Sequence, residues 1–338
     1  MDYVLVDYPC TDPRFNLALE QYVFDTLPRE KNYIMLWQND NAVIVGKHQN
    51  TVEEVNSRYV EEKGITVVRR LSGGGAVYHD LGNLNFTIIK EMPEDGMPYD
   101  FRFFCEPVAA LLRSLGVNAE TSGRNDITVD GMKFSGNAQY IKKGRIMHHG
   151  TIMIDSDLSV LAKVLRVPDD KISSKGIKSV RSRVTNLREH LSGDITMERF
   201  KSLLITSLCG GKEPEKYELT GEDLKAVQQL RDSVYATWEW NYGASPRYSF
   251  KKKIRAEGCG SVEVYMRVED GVIADMTFMG DFFSAEDPAC LAGQFIGKRP
   301  VEREYINVLE SAEPGRYISG LGFSDLLKLL LGTLPDNV

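Results

Sequence analysis

Residues 126–155, DITVDGMKFSGNAQYIKKGRIMHHGTIMID, decide the fold. Three runs rich in β-branched and aromatic residues, 127–129, 133–141 and 145–155, are separated by Asp130-Gly131 and by Lys142-Lys143-Gly144, residues that accept the positive φ of tight reversals. The spacing predicts a three-strand antiparallel meander. Upstream, Leu84, Phe86 and Ile88 alternate with Asn83, Asn85 and Thr87, which predicts a further strand with one face in the core. Runs at 33–37, 42–45 and 65–69 read as strands as well.

Helices surround these strands. Phe15, Ala18, Leu19, Tyr22 and Val23 follow the 3.6-residue period behind the start signal Asp12-Pro13. A polar helix is expected at 52–63, stopped by Gly64, and a buried one at 103–115, stopped by Gly116. Residues 169–186 have no period, and helices are expected near 196–208 and 220–236. The stretch 238–246, with Asn, Gly, Ser and Pro, breaks the pattern. Beyond it come a hairpin, 261–268 and 272–278 around Asp270-Gly271, and helical stretches near 286–296 and 323–332. The expected fold is therefore α+β: a large domain over 1–243 with mixed β-sheets flanked by helices, and a small α+β domain over 247–338.

Composition limits the functions open to such a chain. Its 338 residues carry 41 Lys plus Arg against 48 Asp plus Glu, a net charge of -7, and this acidic field opposes a polyphosphate backbone, so no nucleic-acid partner is expected. No apolar run is long enough to span a bilayer and the amino terminus has no signal-peptide pattern, so a cytoplasmic monomer without membrane attachment is expected. The five cysteines, at 10, 105, 209, 259 and 290, form no CxxC pair and read as free thiols, with no metal site.

Four clusters carry chemistry. The first is RRLSGGGAVYHD at 69–80, between two expected strands. Three glycines remove every Cβ, so backbone N–H groups can approach an anion, and Arg70 supplies a bidentate phosphate or carboxylate donor. Neither a Walker A nor a GxGxxG pattern is present. The second pairs Asn125-Asp126 with KFSGNA at 133–138 across a turn, where Asp126 can aim the Lys133 ammonium and Gly131, Ser135, Gly136 and Ala138 leave room for a groove. The third is HHGT at 148–151. Adjacent histidines on a strand face opposite sides, so they cannot share one metal. The fourth is the locally basic run KGIKSVRSRVT at 175–185, whose serines and arginines suit a phosphate.

These segments together resemble the lipoate–protein ligase A family of the biotin and lipoate ligase superfamily. The resemblance rests on PRFNLALE at 13–20, IVGKHQN at 44–50, RRLSGGGAVYHDLGNLNFT at 69–87, GRNDITV at 123–129, KFSGNAQY at 133–140, HHGT at 148–151 and KGIKSVRSRVTNL at 175–187. The carboxyl-terminal portion resembles, more loosely, the accessory domain of the bacterial enzymes. The resemblance implies MgATP as substrate and two steps: lipoate, or octanoate, becomes an acyl adenylate, and the acyl group then passes to a lysine of a carrier. The carriers implied are lipoyl domains of 2-oxoacid dehydrogenase acyltransferase subunits and the glycine-cleavage H protein.

Joining the lipoate carboxylate to the α-phosphate brings two anions together, so a cation between them is required, and Lys133 is the candidate catalytic residue that bridges them; the remaining roles follow from the resemblance. Arg70, Gly75, Ala76, Val77, Tyr78, Asn83, Asp126, Ser179 and Arg183 fall to the nucleotide, and Ser72, Gly73, Gly74, His79, Gly136, Ala138 and His149 to the lipoyl group. Leu17, Trp37 and Val45 are candidates for the apolar slot, equally well explained as core. Lys47 keeps a basic residue where one is expected, and Tyr78 stands where other large side chains serve equally. The basic loop at 175–184 is expected to close over the adenylate.

Three other readings fit the sequence less well. A cysteine-dependent octanoyl or lipoyl transferase needs a thiolate near the acyl pocket, but Lys175 stands where some of those enzymes carry cysteine and none lies between Cys105 and Cys209. A non-catalytic binder of lipoylated carriers is expected to lose Arg70 or Lys133, and both are present. A biotin ligase would carry a GRGRxG-type loop, which is missing.

Overall fold

The alternation at residues 83–88 becomes the centre of an eight-stranded mixed sheet. The computed structural model describes residues 3–93, 99–122, 125–165, 184–242, 250–269 and 272–331. Its strands are β1 (Tyr3–Val6), β2 (Asn32–Trp37), β3 (Ala42–Val45), β4 (Thr66–Arg69), β5 (Val77–His79), β6 (Asn83–Glu91), β7 (Ala119–Ser122), β8 (Asp126–Val129), β9 (Met132–Lys142), β10 (Arg145–Met153), β11 (Glu215–Tyr217), β12 (Phe250–Ala256), β13 (Gly260–Glu269) and β14 (Val272–Gly280). The large sheet runs β11-β1-β2-β6-β10-β9-β8-β7. β1 is parallel to both its neighbours, and the strands from β2 to β7 pair antiparallel, which makes the sheet mixed.

The chain divides into two compact units, one of Met1–Ile44, Glu53–Arg69 and Val77–Asn241 and one of Val45–Val52, Arg70–Ala76 and Tyr242–Val338. In the first, Leu84, Phe86 and Ile88 share a core with Phe104, Val108 and Leu112 of the helix Phe101–Ser114 and Phe200 and Leu204 of the helix Met197–Leu208. Each such side chain contributes about 1.5–3 kcal/mol by leaving water. The opposite face of β6 carries Asn83, Asn85 and Thr87, all buried, and Thr87 meets the helix Pro13–Thr26 through Glu20. That helix begins where expected, with Asp12 accepting the N–H of Arg14.

In the second unit β12, β13 and β14 form a meander packed by the helices Pro288–Gly293, Glu302–Ser311 and Phe323–Leu331 around Val264, Phe278, Phe295 and Leu326. The expected hairpin is thus two strands of three. The lysine run 251–253 lies on β12, where Lys251 and Lys253 both reach the buried Glu263, at 3.2 and 2.7 Å. Burial would raise the Glu263 carboxyl, but hydrogen bonds from Lys253 and Tyr265 outweigh it and leave it below the usual range.

Two local expectations need correction. The helix expected at 52–63 is broken: Thr51–Glu54 ends and Ser57–Lys63 restarts, because the Asn56 side chain accepts the N–H of Tyr59 as a cap. The short strands β1, β5, β7 and β11 are not among those the sequence reading expects.

Gly150 illustrates how closely β9 and β10 approach. A Cβ there would stand 2.1 Å from Asn137 Oδ1 and 2.5 Å from the Phe86 ring. Gly150→Ala should lower the free energy of unfolding by about 3 kcal/mol, read from the urea midpoint, and an unchanged midpoint would contradict this packing.

Candidate active site

Lys133 lies at the start of β9, opposite Thr128 of β8. The register slips beside it: Ile127 faces Ser135 but Thr128 faces Lys133, so β9 holds one extra residue, Phe134, fully buried in the core. In an unbroken strand Lys133 and Gly136, three apart, would project to opposite faces. The bulge cancels that reversal. The Lys133 ammonium therefore lies over Gly136, 2.9 Å from where a Cβ would stand, and 2.7 Å from Oδ1 of Asp126, the residue opposite Gly136. Both side chains of the pair are 36% exposed, so the ion pair adds little stability and chiefly fixes where the ammonium points. Thr151 Oγ1 accepts the Gly136 N–H at 3.2 Å and ties the HHGT segment to this floor.

The two histidines separate as expected. His148 is fully buried on the apolar face, stacked on Phe104 with centroids 4.4 Å apart, and burial, then the adjacent His149, holds its imidazole well below the ordinary value. His149 faces the helix Pro13–Thr26, with Nδ1 2.8 Å from Glu20 Oε1. Glu20 also accepts from the Thr87 hydroxyl at 2.7 Å, and that hydroxyl accepts the Trp37 indole N–H at 2.9 Å. Sequence reasoning missed Glu20. Its signal is the i, i+4 pair Asn16 and Glu20, polar residues on a helix whose neighbours at 15, 17, 18 and 19 are all apolar. Leu17, Trp37 and Val45 are all buried.

Ala138 stands opposite His149 in the ladder. His79 is buried, its Nδ1 3.1 Å from Asn39 Nδ2 and its ring edge-on to Trp37. The Asn83 side chain donates to Asn85 Oδ1. Tyr78 donates to Asn41 Oδ1, and burial, then Asp80, pushes its phenol up to about 12. Ser179 and Arg183, with residues 175–183 of the basic run, lie outside the described residues.

The glycine loop belongs to the second unit, with IVGKHQN from Val45 onward. Arg70 is buried, and its Nε and Nη2 donate to Ser72 Oγ, Gly73 O and Gly75 O at 3.0, 2.6 and 2.9 Å. These bonds hold the shape of the loop. Gly74, at φ 90°, donates its N–H to Phe282 O, and a Cβ on Gly46 would fall 1.9 Å from Gly74 O. Lys47 donates its backbone N–H to Ser72 O. Gly73 serves close backbone packing, since a Cβ there would fall 2.2 Å from Phe282 O, whereas Gly74 serves its positive φ.

Thiol chemistry has little support. Cys105, Cys209 and Cys259 are buried, and burial pushes the Cys105 thiol up to about 12 and raises those of Cys10 and Cys209. No cluster of His, Cys, Asp or Glu able to hold a metal ion exists among the described residues, and none of their helices is long and apolar enough to cross a membrane.

Residues 12–209 match the family model described as the lipoyl protein ligase A/B catalytic domain, and residues 245–330 that of the bacterial lipoate protein ligase C-terminus. Lipoate-protein ligase LplJ of Bacillus subtilis (strain 168) is 45% identical over 323 residues, covering 94% of this chain and 97% of that protein. Among solved structures, P. falciparum LipL1 in complex with lipoate superposes with a TM-score of 0.78 at 25% identity, covering 92% of this chain and 95% of that one. A lipoate-protein ligase A bound with ATP superposes with a TM-score of 0.60 at 29% identity, covering 72% of this chain and 98% of that one.

The role of Gly136 is open to a direct check. A Cβ there meets only the flexible end of Lys133, so Gly136→Ala should change stability by less than about 1 kcal/mol yet displace the ammonium from Asp126. A crystal structure of the variant that kept the 2.7 Å contact would refute the packing.

Proposed function

This chain belongs to the lipoate–protein ligase family, and from that premise we infer that it is an ATP-dependent lipoate–protein ligase. It activates lipoate to lipoyl-AMP and transfers the lipoyl group to a lysine, forming an amide. In the first step the lipoate carboxylate attacks the α-phosphorus of ATP and pyrophosphate leaves. In the second the lysine amine attacks the acyl carbon and AMP leaves.

The first step brings two anions together. At about 4 Å and an effective dielectric constant of about 20, two like charges oppose each other by about 4 kcal/mol, so a cation between them is required. The observation that carries the assignment is the Lys133 ammonium, lifted over Gly136 by the bulge and aimed by Asp126. In this reading Lys133 bridges carboxylate and α-phosphate and stabilises the charge that grows as the phosphorus becomes five-coordinate. Asp126 holds the ammonium in line before the substrates arrive. MgATP is the nucleotide substrate, with the Arg70 loop through Tyr78, Asn83, Ser179 and Arg183 assigned to it. Ser72 to Gly74, His79, Gly136, Ala138 and His149 are assigned to the lipoyl group, and Glu20 joins them through its bond to His149.

The carrier class proposed is a lipoyl domain of a 2-oxoacid dehydrogenase or a glycine-cleavage H protein, met in the cytoplasm. Residues 1–243 are proposed as the catalytic domain and 247–338 as its accessory. The accessory part carries no glycine-rich or acid–base cluster of its own in sequence, so it is assigned no separate reaction.

Lys133→Ala should reduce lipoate-dependent ATP–pyrophosphate exchange by about a thousandfold or more, with the thermal midpoint little changed, because it deletes a partly exposed side chain and opens no core cavity. Exchange at the parent rate by the folded variant would defeat the assignment. Replacing Cys10, Cys105, Cys209, Cys259 and Cys290 together by alanine should leave ATP-dependent ligation measurable, since no step uses a thiolate. Loss of activity traced to one thiol in a stable protein would favour the transferase route.

A further inference from the structure

Lys133 stands on β9 beyond the end of its ladder with β10. β10 pairs with β9 from Lys142 back to Asn137 and no further, so the peptide groups of residues 133–136 need other partners on that side. Thr151 serves Gly136, as described. The Lys133 carbonyl is served from a distant part of the chain: Thr185 donates its backbone N–H to it at 2.9 Å, and Lys133 forms a one-residue parallel bridge with Val184.

The segment 184–190 that supplies this contact is firmly held. The Asn186 side chain bonds both the N–H and the carbonyl of Ser156 at 2.9 Å, and the Arg188 N–H reaches Ile154 O, so the segment is fastened to the chain just beyond β10. Leu187–Glu189 forms a short helical turn that ends on His190. Thr185 is buried, and its hydroxyl lies 3.0 Å from His190 Nε2. His190 Nδ1 in turn stands 3.7 Å from Asp130 Oδ2, on the left-handed residue of the β8–β9 turn. A closed circuit results, from Lys133 through Thr185 and His190 back to the hairpin that bears Lys133.

We propose that Thr185 and His190 are positioning residues for Lys133. His190 fixes the Thr185 hydroxyl, which sets the peptide that braces the Lys133 carbonyl on the side β10 leaves open. The bulge alone leaves β9 free to shift along that open side, and a shift of about 1 Å at a reacting group can cost about a hundredfold in rate. This proposal rests on the assignment of Lys133 to adenylate formation.

The test uses the full-length protein and lipoate-dependent ATP–pyrophosphate exchange. Thr185→Val keeps the volume and removes the hydroxyl, and Thr185→Ser keeps the hydroxyl; His190→Leu and His190→Gln form the matching pair. Thr185→Val and His190→Leu should lower kcat about tenfold while KM for ATP and lipoate stays within about twofold, and the Ser and Gln variants should retain most of kcat. Should Thr185→Val not fold, the His190 pair decides alone, at a side chain that is 15% exposed. Parent-like kcat in the Val and Leu variants, equal losses in Val and Ser, or a loss confined to KM would each overturn the proposal. Lys133→Ala measured alongside separates the two levels. An inactive Lys133→Ala with fully active Thr185→Val and His190→Leu removes this inference alone, whereas an active Lys133→Ala removes the assignment beneath it.

Discussion

One extra residue in β9 sets the geometry on which the rest depends. Phe134 enters the core while Lys133, its neighbour, points out over Gly136, so the large burial energy of an aromatic ring fixes the position of a charge. A lysine on a regular strand would hold its ammonium at the end of a flexible stem with no such reference. The strand irregularity joins the hydrophobic core to the cation. Asp126 then needs only to select among the directions left open.

The two faces of β6 and β10 divide the remaining work. One face, with Phe86, His148 and Phe104, is apolar and keeps its imidazole neutral. The other is a buried polar sequence in which Trp37 donates to Thr87, Thr87 to Glu20, and His149 meets the same carboxylate. Removing Thr87 or Glu20 takes a partner from a buried N–H or hydroxyl, at a cost of about 1–3 kcal/mol, so the network constrains the residues around it as packing does. The rigid polar face and the aimed cation lie in the same unit, which gives a two-substrate reaction fixed reference points.

Much of this was legible in the sequence where local rules apply. The meander could be read because Asp130, Gly131, Lys143 and Gly144 do adopt positive φ, and the opposite facing of His148 and His149 follows from strand period alone. The proximity of Asp126 and Lys133 follows from the hairpin. The bulge left no local mark, since it arises from competition between the Phe134 ring for the core and the ladder for register. Glu20 was hidden because a carboxylate beside apolar residues on a helix is usually solvated, and its partners are 67 and 129 residues away in sequence. The bonds from Arg70 Nε and Nη2 into its own loop left no mark in the sequence, since they are made to a hydroxyl and carbonyls that only the folded turn brings together.

Arg69 and Arg70 are consecutive, yet they belong to different units. Arg69 is tied to Trp240 and Asn241 by hydrogen bonds of both its backbone and its guanidinium, and Asn241 is the last residue of the first unit. Arg70 opens the loop whose Gly74 is bonded to Phe282. The second unit is therefore discontinuous in sequence, assembled from two short excursions and the carboxyl-terminal third of the chain. A cut placed at the linear boundary near residue 245 would not release an intact body. It would strip from the glycine loop part of the surface it folds against, so evolutionary splitting or fusion at that point must rebuild the loop's support as well as the joint.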